Sequence, residues 1–242
     1  IAGNKSDVQF NSCVYIVFHR VHVSAGWIDI HATVELHVAL VARDHAASLA
    51  PLLRDLPHRL LRSVVVVDRA STDRTAEIAR DGGALVLREP TGGYGAACLR
   101  AQAHFSSLPR VPDLVVFIPG DRPSAAQAVP VLVAPILERG VELVLGTEPG
   151  RRRVGEKLVT GLIDTVYRHR WSGIGPVRAL RFPALIALGM SDRGDGWDVE
   201  MLVRAVKLGL SCDEVVLPQD AHRVPRSLGR ALLHILRHAT MR

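Results

Sequence analysis

From Val34 onward, short unbroken apolar runs alternate with longer stretches of helical spacing. Leu36–Ala42 reads as a strand, and Ser48–Leu56 as a helix with Leu49, Leu52, Leu53 and Leu56 on one face. Four consecutive valines, Val64–Val67, end in Asp68, the pattern of a strand covered on both faces. A helix follows through Ala79, with Ser71 or Thr72 as its N-cap. Ala84–Leu87, Leu114–Ile118 and Glu142–Leu145 are further strands, and Ala96–Phe105 and Ala125–Arg139 are helices. Pro130 and Pro135 predict a break or kink in the last of these.

The second half is less regular. Helices are expected at Glu156–Arg168, Pro183–Leu188 and Trp197–Leu208, an extended segment at Gly173–Arg181 and a strand at Cys212–Leu217. Leu228–His238 reads as a terminal amphipathic helix. Strands alternating with helices predict an α/β fold, a mostly parallel sheet with right-handed crossovers and helices on its faces. Residues 34–242 read as one domain. Residues 1–33 lack the rhythm and are set apart as an N-terminal extension. The Cys13–Phe18 patch lacks the basic leader and cleavage site of a signal peptide.

Composition narrows the picture. The 242 residues are 48% hydrophobic and 22% charged, as in soluble globular chains. No apolar run approaches the roughly 18 residues of a membrane span, so a lipid substrate would be met at the membrane surface. The net charge of +6, mostly arginine, favours phosphorylated or anionic partners. Aromatic residues are only 5% and interleave with no basic stripe, which argues against nucleic acid. Cys13, Cys98 and Cys212 are widely spaced, as expected of thiols in a reducing cytoplasm rather than a disulfide framework or zinc site.

Polar residues concentrate just after the apolar runs: Arg43-Asp44-His45, Asp68-Arg69-Ala70-Ser71, Arg88-Glu89, Pro119-Gly120-Asp121 and Gly146-Thr147. In an open parallel sheet that rim is where ligands bind. Gly92-Gly93-Tyr94-Gly95 opens a helix and reads either as a phosphate cradle or as a tight turn. The first strand–helix turn, Ala42–Ala47, has no glycine, which argues against a dinucleotide fingerprint.

Val64 to Thr75 resembles the "hydrophobic strand, Asp-Asp-Gly-Ser-Thr-Asp-x-Thr" segment of family 2 glycosyltransferases, closest to their dolichyl-phosphate mannose and glucose synthase branch. Gly92–Ala97 resembles the branch's Gly-Tyr-Gly segment. Val115–Asp121 falls where the family has its metal-binding Asp-x-Asp, and Leu143–Gly146 is similar to the strand after it. Gly175–Ala179 and Gly196–Met201 resemble the acceptor-side segments.

The resemblance implies a GT-A-type fold, a nucleotide-diphosphate sugar, a divalent Mg or Mn ion and transfer of a hexose. The acceptor it implies is a polyprenyl phosphate or another acceptor, and the protein it implies is cytoplasmic, at the membrane surface where the acceptor is a lipid. It places Arg43, Asp44, Asp68, Arg69, Gly93, Tyr94, Gly95, Gly120, Asp121, Arg178 and Arg226 around the donor, Asp121 and His222 on the metal, and Asp198 and Glu200 in catalysis. Arg151, Arg152, Arg153, Arg223, Arg226 and Arg230 are candidates to hold an acceptor phosphate. A homo-oligomer is compatible with the pattern.

The departures are specific. Arg69 stands where the family has its second Asp, Pro119 where it has the first Asp of Asp-x-Asp, His45 or Ala46 where it has an acid, and Gly173 replaces another. One carboxylate can still hold a magnesium ion shared with diphosphate oxygens and water. Arg69 can alternatively neutralise the diphosphate directly. The alternative function is that of a non-catalytic relative acting as a binding or regulatory partner.

Overall fold

The computed structural model describes residues 16–17, 20–23, 26–29, 34–147 and 154–217. Within the extension, three short strands, β1 (Ile16–Val17), β2 (Arg20–Val23) and β3 (Gly26–Asp29), pair antiparallel. The expected terminal helix at 228–238 lies outside the described residues.

The main sheet has seven strands: β4 (Leu36–Ala42), β5 (Ser63–Asp68), β6 (Leu85–Arg88), β7 (Leu114–Pro119), β8 (Leu143–Thr147), β9 (Val177–Arg181) and β10 (Cys212–Val216). Their order is β10-β8-β9-β7-β4-β5-β6. All neighbouring pairs are parallel except those of β9, which runs antiparallel to both β7 and β8. The expected α/β sheet is therefore observed, with one reversed strand.

Each strand alternates its apolar residues between two cores, as the period-2 pleat requires. Leu36, Val38 and Leu40 of β4, Val66 of β5 and Val116 of β7 face one side. There they meet α1 (Ala46–Asp55), α2 (Thr75–Asp81) and α4 (Ala125–Arg139) through Leu49, Leu52, Ala79, Val129 and Leu132. Ala39, Val65, Val67 and Phe117 face the other side. They meet α3 (Tyr94–Ser106), α5 (Val154–Tyr167), α6 (Phe182–Leu188) and α7 (Trp197–Leu208) through Ala101, Ile163, Leu185 and Leu202.

α4 is a single helix with Pro130 and Pro135 inside it, so the expected break is absent. It ends at Gly140, whose φ of 71° is the left-handed stop that glycine adopts without strain. Pro119 closes β7. The Gly120 amide donates to the Val41 carbonyl (2.8 Å), so by alternation the Pro119 nitrogen faces the β9 side. The β7–β9 register runs only to Phe117↔Arg178, so the proline's missing N–H costs no ladder bond there.

Candidate active site

β4 lies between β5 and β7, with Ala42 beside Asp68 and Val41 beside Pro119. Asp68 and Asp121 therefore emerge at one rim, the carboxyl ends of the parallel strands. Polar loop contacts fix the geometry there. The Arg69 amide donates to the Ala42 carbonyl (2.9 Å), and the Asp44 amide to Ser71 Oγ (2.9 Å). Asp44 Oδ1 accepts from both the Thr72 amide (2.7 Å) and its hydroxyl (3.1 Å). The Thr72 amide, as the leading influence, holds the Asp44 carboxyl below its ordinary value.

Asp73 binds the Ala46 amide (3.0 Å) through Oδ2 and the Thr75 amide (2.9 Å) through Oδ1. Thr75 Oγ1 in turn accepts from the His45 amide (2.9 Å). The expected N-cap hydroxyls of Ser71 and Thr72 thus cross-link two strand–helix loops instead, and Asp73 serves the start of α2. Ser48 Oγ donates to the Gly120 carbonyl (2.7 Å), joining the third loop to the first two.

Gly120 is required by a close approach. A Cβ there would lie 2.9 Å from His45 Nδ1 and 3.0 Å from Ala42 Cβ. Burial pushes the His45 imidazole below its ordinary value, against the pull of Asp121, Asp73 and Asp44 and with the help of Arg69. Asp121 lies beside Arg122, with Oδ1 3.7 Å from Nε. Asp121 Oδ1 is buried and accepts no hydrogen bond. Arg122 is 7% exposed. The sequence reading missed this arginine, although its position directly after Asp121 at a strand end was available as a signal.

Among the described residues, no group of three His, Cys, Asp or Glu side chains converges on a common point. Asp121, with its unbonded buried oxygen, fits a cation only as a single protein ligand, the diphosphate and water filling the other positions. Asp68 is 5% exposed, and its Oδ1 accepts the Ser71 amide (3.1 Å). Arg43 and Asp44 are exposed at the rim, 3.9 Å apart. His222 and Arg226, like Arg151, Arg152, Arg153, Arg223 and Arg230, lie outside the described residues.

Several expected site residues have other jobs. The Gly95 amide donates to the Gly194 carbonyl (2.8 Å) and the Ala96 amide to the Arg193 carbonyl (3.0 Å). A Cβ at Gly93 would meet the Arg193 carbonyl oxygen at 2.7 Å, and one at Gly95 the Asp192 carbonyl oxygen at 2.1 Å. Here the glycines admit a crossing backbone, and the helix-start amides that an anion would need are already engaged. Tyr94 is buried in the core.

Glu200, expected in catalysis, is fully buried. It accepts from the Ser191 hydroxyl (2.6 Å), the Ser191 and Asp192 amides (3.1 and 2.8 Å) and Arg204 Nε (2.9 Å). Asp198 is buried 3.0 Å from Arg178 Nη1. Arg178 also donates to the Gly175 and Ile174 carbonyls (2.9 and 2.8 Å), so it shapes the approach to β9 from inside the core. These contacts correct the expected roles of Asp198, Glu200 and Arg178: their polar groups are committed to holding neighbouring segments. Trp197 is a core residue whose ring lies tilted against that of Phe117, centroids 6.3 Å apart.

No family model matches the chain. It is 34% identical over 204 residues to an uncharacterized glycosyltransferase of Mycobacterium tuberculosis, covering 80% of this chain and 87% of the relative. It is 25% identical over 177 residues to glycosyltransferase AglJ of Haloferax volcanii, covering 69% of this chain and 57% of the relative. Among solved structures, glucosyl-3-phosphoglycerate synthase from Mycobacterium tuberculosis, bound to phosphoglyceric acid, superposes with a TM-score of 0.75 at 24% identity, over 88% of this chain and 82% of that one. A complex of that enzyme with Mn²⁺, UDP-glucose and phosphoglyceric acid superposes with a TM-score of 0.73 at 23% identity, over 88% and 84%. These structural likenesses establish the fold.

Proposed function

The chain belongs to the glycosyltransferases, and from that premise we propose that it transfers a sugar from a nucleoside-diphosphate sugar to an anionic acceptor. The observation that carries the reading is the meeting of three loops, 43–48, 69–75 and 119–122, at the rim where Asp68 and Asp121 emerge. The fold is of the GT-A type, and glucosyl-3-phosphoglycerate synthase, which superposes on it, has been crystallised with Mn²⁺ and UDP. UDP is accordingly the first nucleotide to test.

In this reading, Asp68 and the loops tied by Asp44 and Asp73 shape the nucleotide side of the site. Arg43, Arg69 and Arg122 face the diphosphate. A Mg or Mn ion, when bound, would be held by Asp121 and would neutralise charge on the departing diphosphate. Glu200 and Asp198 are committed elsewhere, so the described carboxylates offer no evident general base. An acceptor already ionised as a phosphate or carboxylate needs little proton abstraction. This favours an anionic acceptor, either a soluble phosphorylated acid or, as the resemblance to dolichyl-phosphate synthases implies, a polyprenyl phosphate at a membrane surface. Among the described residues no helix is long and apolar enough to cross a membrane.

The test is calorimetric titration of the folded protein with UDP, GDP and their sugars, with Mn²⁺ or Mg²⁺ present. A transfer assay then offers phosphoglyceric acid and polyprenyl phosphate separately. Binding of one nucleotide and turnover with one acceptor are expected. A folded sample that binds none of the nucleotides ends this reading.

A further inference from the structure

We infer that the Glu156 carboxylate stands in for the acid that Gly173 lacks, and that its second oxygen accepts a hydrogen bond from a hydroxyl of the transferred sugar. The inference rests on the transferase reading and concerns how the sugar, rather than the nucleotide, is held.

Glu156 lies in the first turn of α5, and its Oε1 accepts from the Ile174 amide (3.2 Å). A Cβ built on Gly173 would meet that same Oε1 at 3.3 Å and Thr147 Cγ2 at 3.9 Å. Gly173 is not among the residues with positive φ, so its backbone makes no demand for glycine. What fills the space of a side chain there is the Glu156 carboxyl group. The acid that the glycosyltransferase resemblance expects at position 173 is thus replaced, at the same place, by one arriving from a helix.

β7 and β8 both run antiparallel to β9, and Phe117 and Leu145 both pair with Arg178. Thr147 is therefore level with Pro119, two strand spacings or about 10 Å along the rim. That sets Glu156 and Gly173 at the same end of the sheet as Asp121, on the β8 side. The loop around them is fastened. Glu214 accepts from the Ser172 amide (2.9 Å) and hydroxyl, and Arg178 donates to the Ile174 and Gly175 carbonyls (2.8 and 2.9 Å). Glu156 commits one oxygen to this loop, and its second accepts no hydrogen bond from a described residue. An anionic acceptor is repelled by a carboxylate, and the cation of the transferase reading sits on Asp121, across the rim. A neutral hydroxyl suits an ionised carboxylate, which can only accept. The transferred sugar, attached to the diphosphate, supplies several.

The experiment is titration of the full chain in Mn²⁺ with UDP and UDP-glucose, and with GDP and GDP-mannose. For the pair that binds, Glu156→Gln should leave the affinity for the bare nucleotide within about twofold. The same substitution should weaken binding of the nucleotide sugar by about tenfold or more, the scale of a hydrogen bond to a charged group. It keeps an oxygen for the Ile174 amide, so a purely structural role would not produce this split. Glu156→Ala should show the same loss. Glu156→Ala combined with Gly173→Asp should recover most of it, since the acid then returns to position 173. Thermal melts verify folding. If the alanine variants do not fold, Glu156→Gln alone decides.

Equal effects on nucleotide and nucleotide sugar in folded Glu156→Gln protein overturn the inference and leave the transferase reading standing. So does a folded double variant that recovers nothing, or a parent that binds nucleotide but neither sugar donor. No binding of either nucleotide defeats the transferase reading itself.

Discussion

Glu200 sits at the start of a helix, where a carboxylate is ordinarily a small electrostatic bonus, yet its contacts tie together α7 and the 191–194 loop. Burial alone would raise its carboxyl, but Ser191, Asp192 and Arg204 more than offset that and hold it below the ordinary carboxylate range. A folded-state value below the unfolded one adds stability that is present above about pH 4.3 and lost as pH falls through the folded value. Glu200→Gln should therefore destabilise the protein near neutral pH by about 1–3 kcal/mol, the scale of a disrupted buried hydrogen-bond set. The difference from the parent should shrink as pH drops from about 5 towards 3. Urea denaturation across that range measures it, and a pH-independent difference contradicts the assignment. The residue's position was visible in the sequence, but its partners were not. Ser191 and Asp192 reach it only because the loop before α7 folds back over its first turn.

At the scale of elements, two glycines make opposite demands. Gly95, in the first turn of α3, lies against the Asp192 carbonyl oxygen, where a Cβ would stand at 2.1 Å. Gly161 lies inside α5 with nothing within 4 Å of a Cβ. Gly95→Ala should destabilise by about 1–3 kcal/mol through overpacking, while Gly161→Ala should stabilise by about 0.5–1 kcal/mol through helix propensity. Paired denaturation curves test both. The sequence marked Gly95 but left its run as a phosphate cradle or a tight turn, because a helix-opening glycine run looks the same whether it admits a phosphate or a crossing backbone. Strands were far more legible. Leu36–Ala42 and Val64–Asp68 announce themselves as apolar runs buried on both faces, and polar residues directly after such runs can only be at a strand end. The reversal of β9 was not legible, since strand direction depends on pairings remote in sequence.

At the scale of the whole molecule, three loops at one end of the sheet are fastened to one another by side chains rather than by regular structure. A ligand bridging them should therefore raise the stability of the entire domain. By linkage, UDP at about a hundred times its Kd adds about 2.7 kcal/mol. A thermal melt with and without nucleotide should show an upward shift, and Asp73→Ala, which unties α1 from the second loop, should weaken nucleotide binding and reduce that shift at a fixed UDP concentration. That Asp68 and Asp121 would share one rim of the sheet was readable from their places after apolar strands. The burial of Arg122 beside Asp121 was not, because a lone arginine after an aspartate looks like ordinary surface charge until its enclosure is seen.

Pro119 adds a consequence for how such a site can change over time. Its nitrogen points where β7 has already parted from β9, so the sheet neither demands the proline nor resists an aspartate by way of its ladder. Acidity at this corner can thus be gained or lost by single substitutions while the scaffold stays intact.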